Sequence, residues 1–315
     1  MSQGRKSRRR PGWLLWGLLV LLLPLVGYGG FIVWLYGSDD VDMARATTDA
    51  FRAEPAAEVH RLRGNVYLLT GGGMNVVAHV GPQGVTLVDT ATDWAAPKMD
   101  AALRTITHLP VRTIINTHAH TDHRGGNGYF AAPGAMILAH RETDARMRAG
   151  DTTEADLPTR VFDETAELTS GDETIRITHI PDAHTQGDLV VYFVAADVLV
   201  AGDILINEGF PYIAEPTGAT VDGYLRAQSD LIAMTGPDTI VIPGHGPAAD
   251  RARLEDVHAR LARIAGTVAY WRDKGLPARL ILATYPTRGW PLSWQGIGMS
   301  HKFFVQIAYR SASGG

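Results

Sequence analysis

The chain has 315 residues, 45% of them hydrophobic, so it has room for one large domain or two modest ones and enough apolar side chains for a core. It contains no cysteine, which excludes disulfides, thiolate metal ligands and a cysteine nucleophile. A net charge of −4 provides no overall basic surface, and we expect no nucleic-acid partner.

The N-terminal residues have the composition of a membrane anchor. Residues 1–11 are basic, and residues 12–36 are almost wholly apolar with tryptophans near both ends. A helix of that length, rising about 1.5 Å per residue, can cross a hydrocarbon core of about 30 Å. Because the basic flank comes first, we expect a single-pass protein with residues 1–11 in the cytoplasm and the catalytic domain periplasmic or extracellular. A cleaved signal peptide is the alternative, although the apolar stretch exceeds the usual signal core.

A polar linker joins this anchor to one domain. Residues 37–56 are alanine-rich and polar without a clear period. From Val59 the pattern changes to short β-type runs separated by glycines, which is typical of a folded domain. We therefore predict a domain over residues 57–315, in which residues 276–315 form a C-terminal extension that packs on the core.

Runs of β-branched and apolar residues predict the strands of this domain, and helical spacing predicts its helices. The predicted strands are residues 66–69, 75–80, 85–89, 112–116, 136–139, 175–180, 189–194, 198–201 and 239–242. The predicted helices are residues 94–109, 141–150, 221–234 and 254–274. Two strand-rich halves, each closed by helices, indicate a sandwich of sheets with helices outside. The three glycines at 71–73 form either a plain hairpin turn or a mobile flap over a cleft.

Residues 117–123, Thr-His-Ala-His-Thr-Asp-His, concentrate three imidazoles and a carboxylate behind the strand 112–116. These side chains cannot all face one side of a strand or helix, so we predict a strand end that opens into a loop. Imidazole nitrogen and carboxylate oxygen are ligands that Zn²⁺ prefers. A solvated turn with chance histidines is the competing interpretation.

Three further polar residues follow predicted strands in the second half of the chain. His184 follows the strand 175–180, Asp203 follows 198–201, and His245 follows 239–242. We expect all three at one edge of the sheets, where several loops can meet around one ion. The other histidines of the domain are interpreted as structural or surface residues: His60, His79, His108, His140, His179, His258 and His301.

These motifs, in this order and across residues 60–250, resemble the five successive motifs of the metallo-β-lactamase-fold hydrolases. The motif residues are His118-x-His120-x-Asp122-His123, His184, Asp203 and His245, with Asp89 as the leading acidic residue. The resemblance implies an α/β fold, a four-layer αβ/βα sandwich. It also implies a dinuclear metal site with two Zn²⁺, or Fe or Mn in their place.

The resemblance also implies a role for each residue. Three histidines would hold the first metal, an aspartate and two histidines would hold the second, and a further aspartate would bridge them. In that order the ligands are His118, His120 and His184, then Asp122, His123 and His245, then Asp203. Asp122 could also accept and return a proton, so it is the candidate catalytic residue. Ligating imidazoles need their second N–H held by an oxygen, and the candidates for such support are Asp89, Thr121, Thr185 and Asp188.

The substrate is less closely defined. The bridging aspartate makes the chain more similar to glyoxalase II-like hydrolases than to cysteine-containing β-lactamases. Ile206 stands where lactonases carry a catalytic tyrosine, and Tyr212 is the candidate substrate contact. We expect a zinc-dependent hydrolase that uses a metal-bridging hydroxide on a small ester, thioester, amide or lactone. The alternatives are a β-lactamase, a phosphodiesterase or nuclease of the same fold, or a non-enzymatic metal-dependent binding protein.

Overall fold

The computed structural model describes residues 49–54, 56–131, 133–213, 218–284, 286–289 and 299–311. The predicted anchor, residues 12–36, lies outside these ranges. None of the helices within them is long and apolar enough to span a bilayer. The described residues all belong to a compact unit that begins at Ala44.

The first of two mixed sheets contains seven strands in chain order. They are β1 (Glu58–Arg61), β2 (Val66–Gly71), β3 (Met74–Gly81), β4 (Gly84–Val88), β5 (Val111–Ile115), β6 (Met136–His140) and β7 (Arg160–Phe162). Strands β1 to β4 pair antiparallel, whereas β4 to β7 pair parallel.

The second sheet has six strands in the order β13-β12-β11-β10-β9-β8. They are β8 (Thr165–Ser170), β9 (Glu173–His179), β10 (Leu189–Phe193), β11 (Val198–Ile206), β12 (Ile240–His245) and β13 (Ala249–Asp250). Strands β11 and β12 pair parallel, and the other neighbours pair antiparallel.

Helices flank both sheets. In chain order they are α1 (Ala96–Arg104), α2 (Thr121–Arg124), α3 (Asn127–Phe130), α4 (Arg141–Ala149), α5 (Val221–Met234), α6 (Arg251–Asp273), α7 (Ala278–Ala283) and α8 (His301–Ser311), with a 3₁₀ turn at Glu154–Asp156. Helix α1 starts later than predicted because Pro97 favours the first helical turn.

The layers follow from the alternation of side chains along each strand. Ile115 of β5 packs with Phe193 of β10 in a core between the two sheets. Its neighbour Ile114 faces the other way and packs with Met99 of α1. Phe304 of α8 packs with the second sheet and α5 in a third core. The arrangement is helix, sheet, sheet, helix, as predicted.

Three predictions about the positions of polar residues were wrong in detail, and one of them is His245, which is the last residue of β12 and does not follow it. Asp203 lies within β11, not behind it, because the apolar residues after it continue the strand to Ile206. The pairing with β12 is irregular between Gly202 and Ile206, and Gly202 has a φ of +52°. The predicted loop at residues 117–123 includes the one-turn helix α2. The single helical turn of α2 lets the neighbouring histidines point in different directions.

Candidate metal centre

The site forms where parallel strands of each sheet end. Asp89 directly follows β4, His118 follows β5, and His245 is the last residue of β12. Because β4 and β5 are parallel, their C-terminal ends lie at one edge of the first sheet, and the same holds for β11 and β12 in the second. Contacts among the side chains join the two edges.

All seven predicted ligand residues converge there in two groups. Within each group, the candidate ligand atoms lie within 4.8 Å of one another. The first group is His118, His120, His184 and Asp203, and the second is Asp122, His123 and His245. Five of the seven residues are buried, and His120 and Asp122 are half-buried, so their polar atoms face each other in a space with little solvent.

Asp203 lies between the groups. Its Oδ2 is 3.4 Å from His184 Nε2 in the first group. Its Oδ1 is 3.2 Å from His123 Nε2 and 3.5 Å from His245 Nε2 in the second. A Cβ on Gly244 would overlap this carboxylate, so glycine at that position makes room for it. Each carboxylate oxygen therefore faces a different group.

The outer nitrogens of four rings are held by oxygen acceptors. His118 Nδ1 lies 3.0 Å from Thr117 Oγ1, and the Thr117 hydroxyl itself donates to Asp89. His123 Nδ1 lies 2.8 Å from Asp89 Oδ2. His184 Nδ1 lies 2.6 Å from the Tyr212 carbonyl, and His245 Nδ1 lies 2.7 Å from the Gly73 carbonyl. Because each of these partners accepts a hydrogen bond, Nδ1 carries the proton in the neutral ring and Nε2 presents a lone pair inward.

The inward atoms suit a metal ion of the Zn²⁺ class. His118 Nε2, His120 Nδ1 and His184 Nε2 lie 2.8–3.2 Å apart, with ring nitrogens facing ring nitrogens. Asp203 Oδ1 is buried and makes no hydrogen bond of regular geometry in the described part of the chain, although the rings of His123 and His245 face it at 3.2 and 3.5 Å. The lone pairs of the three rings in the first group repel one another unless a cation lies among them, and imidazole with carboxylate is a zinc-type donor set. The residues present therefore fit the metal implied by the sequence.

The electrostatics differ between the two groups. Burial, reinforced by neighbouring rings, lowers the pKa of His118 well below its usual value and that of His120 to about 4. Burial also opposes charge on His245 and His123, but the nearby carboxylates, Asp203 and Asp122, together outweigh it, raising the pKa of His245 to about 10 and that of His123 well above the ordinary value. Burial would raise the pKa of Asp203, yet the neighbouring imidazoles, led by His123 and His245, together hold it far below the ordinary value.

The predicted supporting residues take different positions. Asp89 accepts from the ring of His123, as expected. Asp188 accepts from the backbone amides of His184 and Thr185, each at 2.7 Å, and from the Thr185 hydroxyl. This pair thus fixes the loop that carries His184, and burial raises the pKa of Asp188 to about 6. Thr121 lies exposed at the first residue of α2.

Tyr212 supports the site through its backbone and borders it with its ring. Its carbonyl holds His184, and its ring centre lies 5.8 Å from that of His120. The ring also stacks on Phe303 of α8 at 5.7 Å. Tyr212 is therefore placed to form part of the wall beside the first group.

The structure adds residues that the sequence did not single out. Thr117 links Asp89 to His118. The Gly73 carbonyl holds His245, and Tyr224 Oη of α5 donates to the Asp203 carbonyl at 3.0 Å. The side-chain hydroxyl of Thr117, directly before the first histidine of the motif, could have indicated from the sequence that this residue supports the site. A backbone carbonyl such as that of Gly73 leaves no such signal.

A family model described as the metallo-beta-lactamase superfamily matches residues 62–245 of the chain. This range is more than half of the chain and contains the seven converging residues.

Among known proteins, the chain is similar to a subunit of an O-demethylase and to two hydrolases. It is 32% identical over 204 residues to 2,4-dinitroanisole O-demethylase subunit alpha of Nocardioides sp., covering 61% of this chain and 58% of that protein. It is 26% identical over 219 residues to metallo-beta-lactamase type 2 of Elizabethkingia meningoseptica, covering 66% and 86%. It is 30% identical over 139 residues to hydroxyacylglutathione hydrolase of Gloeobacter violaceus, covering 44% and 51%. The chain thus spans only 58% and 51% of the length of the first and third relatives.

Solved structures share the fold at low identity. A metallo-beta-lactamase from Pontibacter korlensis superposes with a TM-score of 0.55 at 19% identity, over 64% of this chain and 97% of that one. A double mutant of a sec-alkyl sulfatase superposes with a TM-score of 0.67 at 14% identity, over 84% of this chain and 54% of that one. These likenesses concern the sandwich of sheets and helices.

Proposed function

Because the chain belongs to the metallo-beta-lactamase superfamily, whose members are hydrolases, we propose that it is a hydrolase with two Zn²⁺ ions in the candidate metal centre. The observation that carries this proposal is the position of Asp203. One of its oxygens faces His184 and the other faces His123 and His245. A carboxylate with this orientation is suited to bridge two ions, with His118, His120 and His184 holding the first ion.

The chain's own residues have distinct tasks in such a reaction. Two bound ions would supply Lewis acidity and an activated water for hydrolysis. Asp122 Oδ2 lies 3.3 Å from His245 Nε2, and its side chain is 22% exposed. It is therefore the carboxylate that reaches both the second group and the solvent side, where it can accept a proton and return it to a leaving group. Asp89 and the Gly73 carbonyl keep the rings of the second group in one orientation.

We propose a small ester, thioester, amide or lactone as the substrate class. Support comes from the likeness to hydroxyacylglutathione hydrolase and from the absence of cysteine in the chain, which leaves a His and Asp donor set. Tyr212 is the proposed substrate contact, because its ring lies beside His120. A β-lactamase activity is the second candidate, favoured by the likeness to metallo-beta-lactamase type 2 over 66% of this chain.

Metal analysis combined with a substrate panel tests the proposed function. The panel contains a chromogenic ester, a thioester, a lactone, a cephalosporin and 2,4-dinitroanisole. We expect about two zinc ions per chain, hydrolysis of at least one carbonyl substrate, loss of activity with a chelator and recovery with zinc. Turnover that survives complete metal removal, or a chain that binds no zinc, would contradict the proposal. Cephalosporin turnover alone would favour the second candidate.

We also propose that residues 12–36 anchor the enzyme with its catalytic domain outside the cytoplasm. The basic residues before this stretch and its apolar length support the proposal. Carbonate extraction of cells that express a C-terminally tagged chain provides the test. We expect a full-length band in the membrane pellet, whereas a shortened soluble band would indicate cleavage.

A further inference from the structure

Residues 49–54, which the sequence indicated as part of a linker, pack against the turn between β2 and β3. The Glu54 carboxylate accepts a 2.7 Å hydrogen bond from the Gly72 amide. The ring of Phe51 fills the space that a Cβ of Gly73 would occupy. Gly73 has a φ of +81°, a conformation that favours glycine, and Phe51 packs directly on its bare backbone. Phe51 and Glu54 thus hold the turn in place, and we call the side that they contact its outer side.

Helix α1 fixes this segment in place. Lys98 Nζ donates to the carbonyl of Arg52 at 2.9 Å and to that of Glu54. The guanidinium of Arg52 lies 5.5 Å from the ring centre of Trp94, which also lies against Gly72. Because α1 packs on the first sheet through buried apolar side chains, residues 49–54 are attached to a rigid part of the domain.

The inner side of the same turn contacts the metal centre. The Gly73 carbonyl accepts from His245 Nδ1 at 2.7 Å. That hydrogen bond fixes the tautomer and the orientation of the ring, so Nε2 faces Asp122 and Asp203. The position of one carbonyl in a turn of three glycines therefore decides where a ring of the second group points.

We propose that residues 49–54 are a positioning element for the second metal group, with Phe51 and Glu54 acting on His245 through the turn. The inference rests on the proposed function, because it takes His245 to bind a metal. Three consecutive glycines give the turn more conformational freedom than any other residues would. The contacts of Phe51 and Glu54 remove that freedom, so the carbonyl of Gly73 and the ring of His245 are already oriented before an ion arrives. Neither residue touches the reacting atoms.

Zinc affinity in matched variants of the full chain tests the proposal. The test variants are Phe51→Ala and Glu54→Gln, and Phe51→Leu retains apolar bulk. The controls are Tyr270→Ala, which removes an exposed aromatic ring from α6, and Glu58→Gln, which removes an exposed carboxylate on β1. Chelator competition gives a dissociation constant for each of the two sites.

We expect Phe51→Ala and Glu54→Gln to weaken zinc binding at the second site about 3- to 10-fold. This is less than the 10- to 100-fold loss that is typical when a direct partner of a ligand is removed. We expect Phe51→Leu and both controls to stay within about twofold.

Amide hydrogen exchange of the metal-free chain provides a readout independent of metal and activity. We expect exchange at residues 72–75 to accelerate in Phe51→Ala and Glu54→Gln and to stay unchanged in the two controls. Unchanged affinity of the second site, or equal weakening of both sites, would overturn the positioning role. A wild-type chain that binds no zinc would instead contradict the proposed function, so the two failures are distinguishable.

Discussion

At the scale of single residues, Asp89 connects a strand end to both metal groups. Its carboxylate accepts from the amide and hydroxyl of Thr117, at 2.7 and 2.8 Å, and from His123 Nδ1 at 2.8 Å. Its φ of +62° turns the chain sharply after β4, a conformation that aspartate tolerates better than most residues. One side chain therefore fixes Thr117, which contacts His118, and also the ring of His123.

We predict that Asp89→Asn weakens zinc binding or activity about 10- to 100-fold, because the amide presents an NH₂ group to donors that need an acceptor. Metal content after dialysis against graded chelator concentrations measures the effect. Asp151→Asn, at an exposed position, is the control and is expected to behave like the wild type. Retention of both ions by Asp89→Asn under the same dialysis would contradict the role given to Asp89.

The pKa directions predict different proton release from the two groups. The pKa of His245 is raised to about 10, so this ring holds a proton at pH 7.5 without metal, and the pKa of His123 is raised in the same direction. The lowered pKa values of His118 and His120 keep those rings neutral. Because an ion displaces the protons of its ligands, binding at the second group should release at least one proton, from His245, and His118 and His120 should release none.

Calorimetric titration of zinc at pH 7.5 in three buffers of different ionisation enthalpy measures this release. His245→Gln should lower the release at the second group by about one proton. Equal release from both groups in the wild type would contradict the assignment of neutral and charged rings.

The sequence indicated which residues the structure brings together in the candidate site, but only part of their geometry. We could predict the site from the spacing of His118 to His123 and from His184 and His245, because few structural roles require histidines near strand ends. The link from Tyr224 to the Asp203 carbonyl was not readable, since it depends on how α5 packs on β11. The contact between Gly73 and His245 could not be predicted from the sequence either, because it uses a backbone carbonyl, which every residue has.

At the scale of elements, β3 is tied to the end of β12 across the two sheets. Asn75 of β3 is buried, and its side-chain amide donates to the carbonyls of Pro243 at 2.9 Å and Gly246 at 2.8 Å. These two carbonyls lie on either side of His245 in the sequence. The strand after the glycine turn thereby holds the backbone that carries a candidate ligand.

We predict that Asn75→Ala destabilises the metal-free chain by about 2 kcal/mol, because two carbonyls lose their donor in a buried place. Urea unfolding of the metal-free chain gives the free energy of unfolding. Asn65→Ala is the matched control, since Asn65 is exposed, and a change within about 0.5 kcal/mol is expected there. Equal stability of the two variants would show that the bonds of Asn75 contribute little.

Strand prediction succeeded where apolar alternation was strong and failed where a polar residue interrupted it. Strands β4 and β5 were predicted from runs such as Val85–Val88 because, apart from Gly84 and Arg112, their residues are apolar or β-branched. Strand β11 was predicted to end at Ala201, since Gly202 and Asp203 read as a break. The structure continues the strand because Ile204 and Leu205 bury their side chains against α5 and α6. Local pattern alone does not contain that packing.

At the scale of the whole molecule, the metal centre joins two sheets that otherwise meet through an apolar core. Ile115 and Phe193 pack in that core, and His118 and His245 extend from one sheet each. An ion held by both sheets binds the folded state and not the unfolded chain. It should therefore raise the free energy of unfolding by mass action.

We predict that zinc at about 100 times its dissociation constant stabilises the chain by about 2.7 kcal/mol for each ion bound. The corresponding rise in Tm is about 5–10 °C, and a chelator should reverse it. Differential scanning fluorimetry with Mg²⁺ at the same concentration is the control, because Mg²⁺ prefers oxygen ligands and should produce no comparable shift. An equal shift with both ions would indicate a general effect of divalent charge.

The position of His245 at the end of β12 has a consequence for biosynthesis. The cluster from His118 to His123 leaves the ribosome early, while the strand that carries His245 is still untranslated. A nascent chain that meets zinc at that stage offers it rings without Asp203 and without the partner sheet. If the chain binds the two proposed ions, correct loading has to wait until translation has passed β12 and the second sheet has closed over the first.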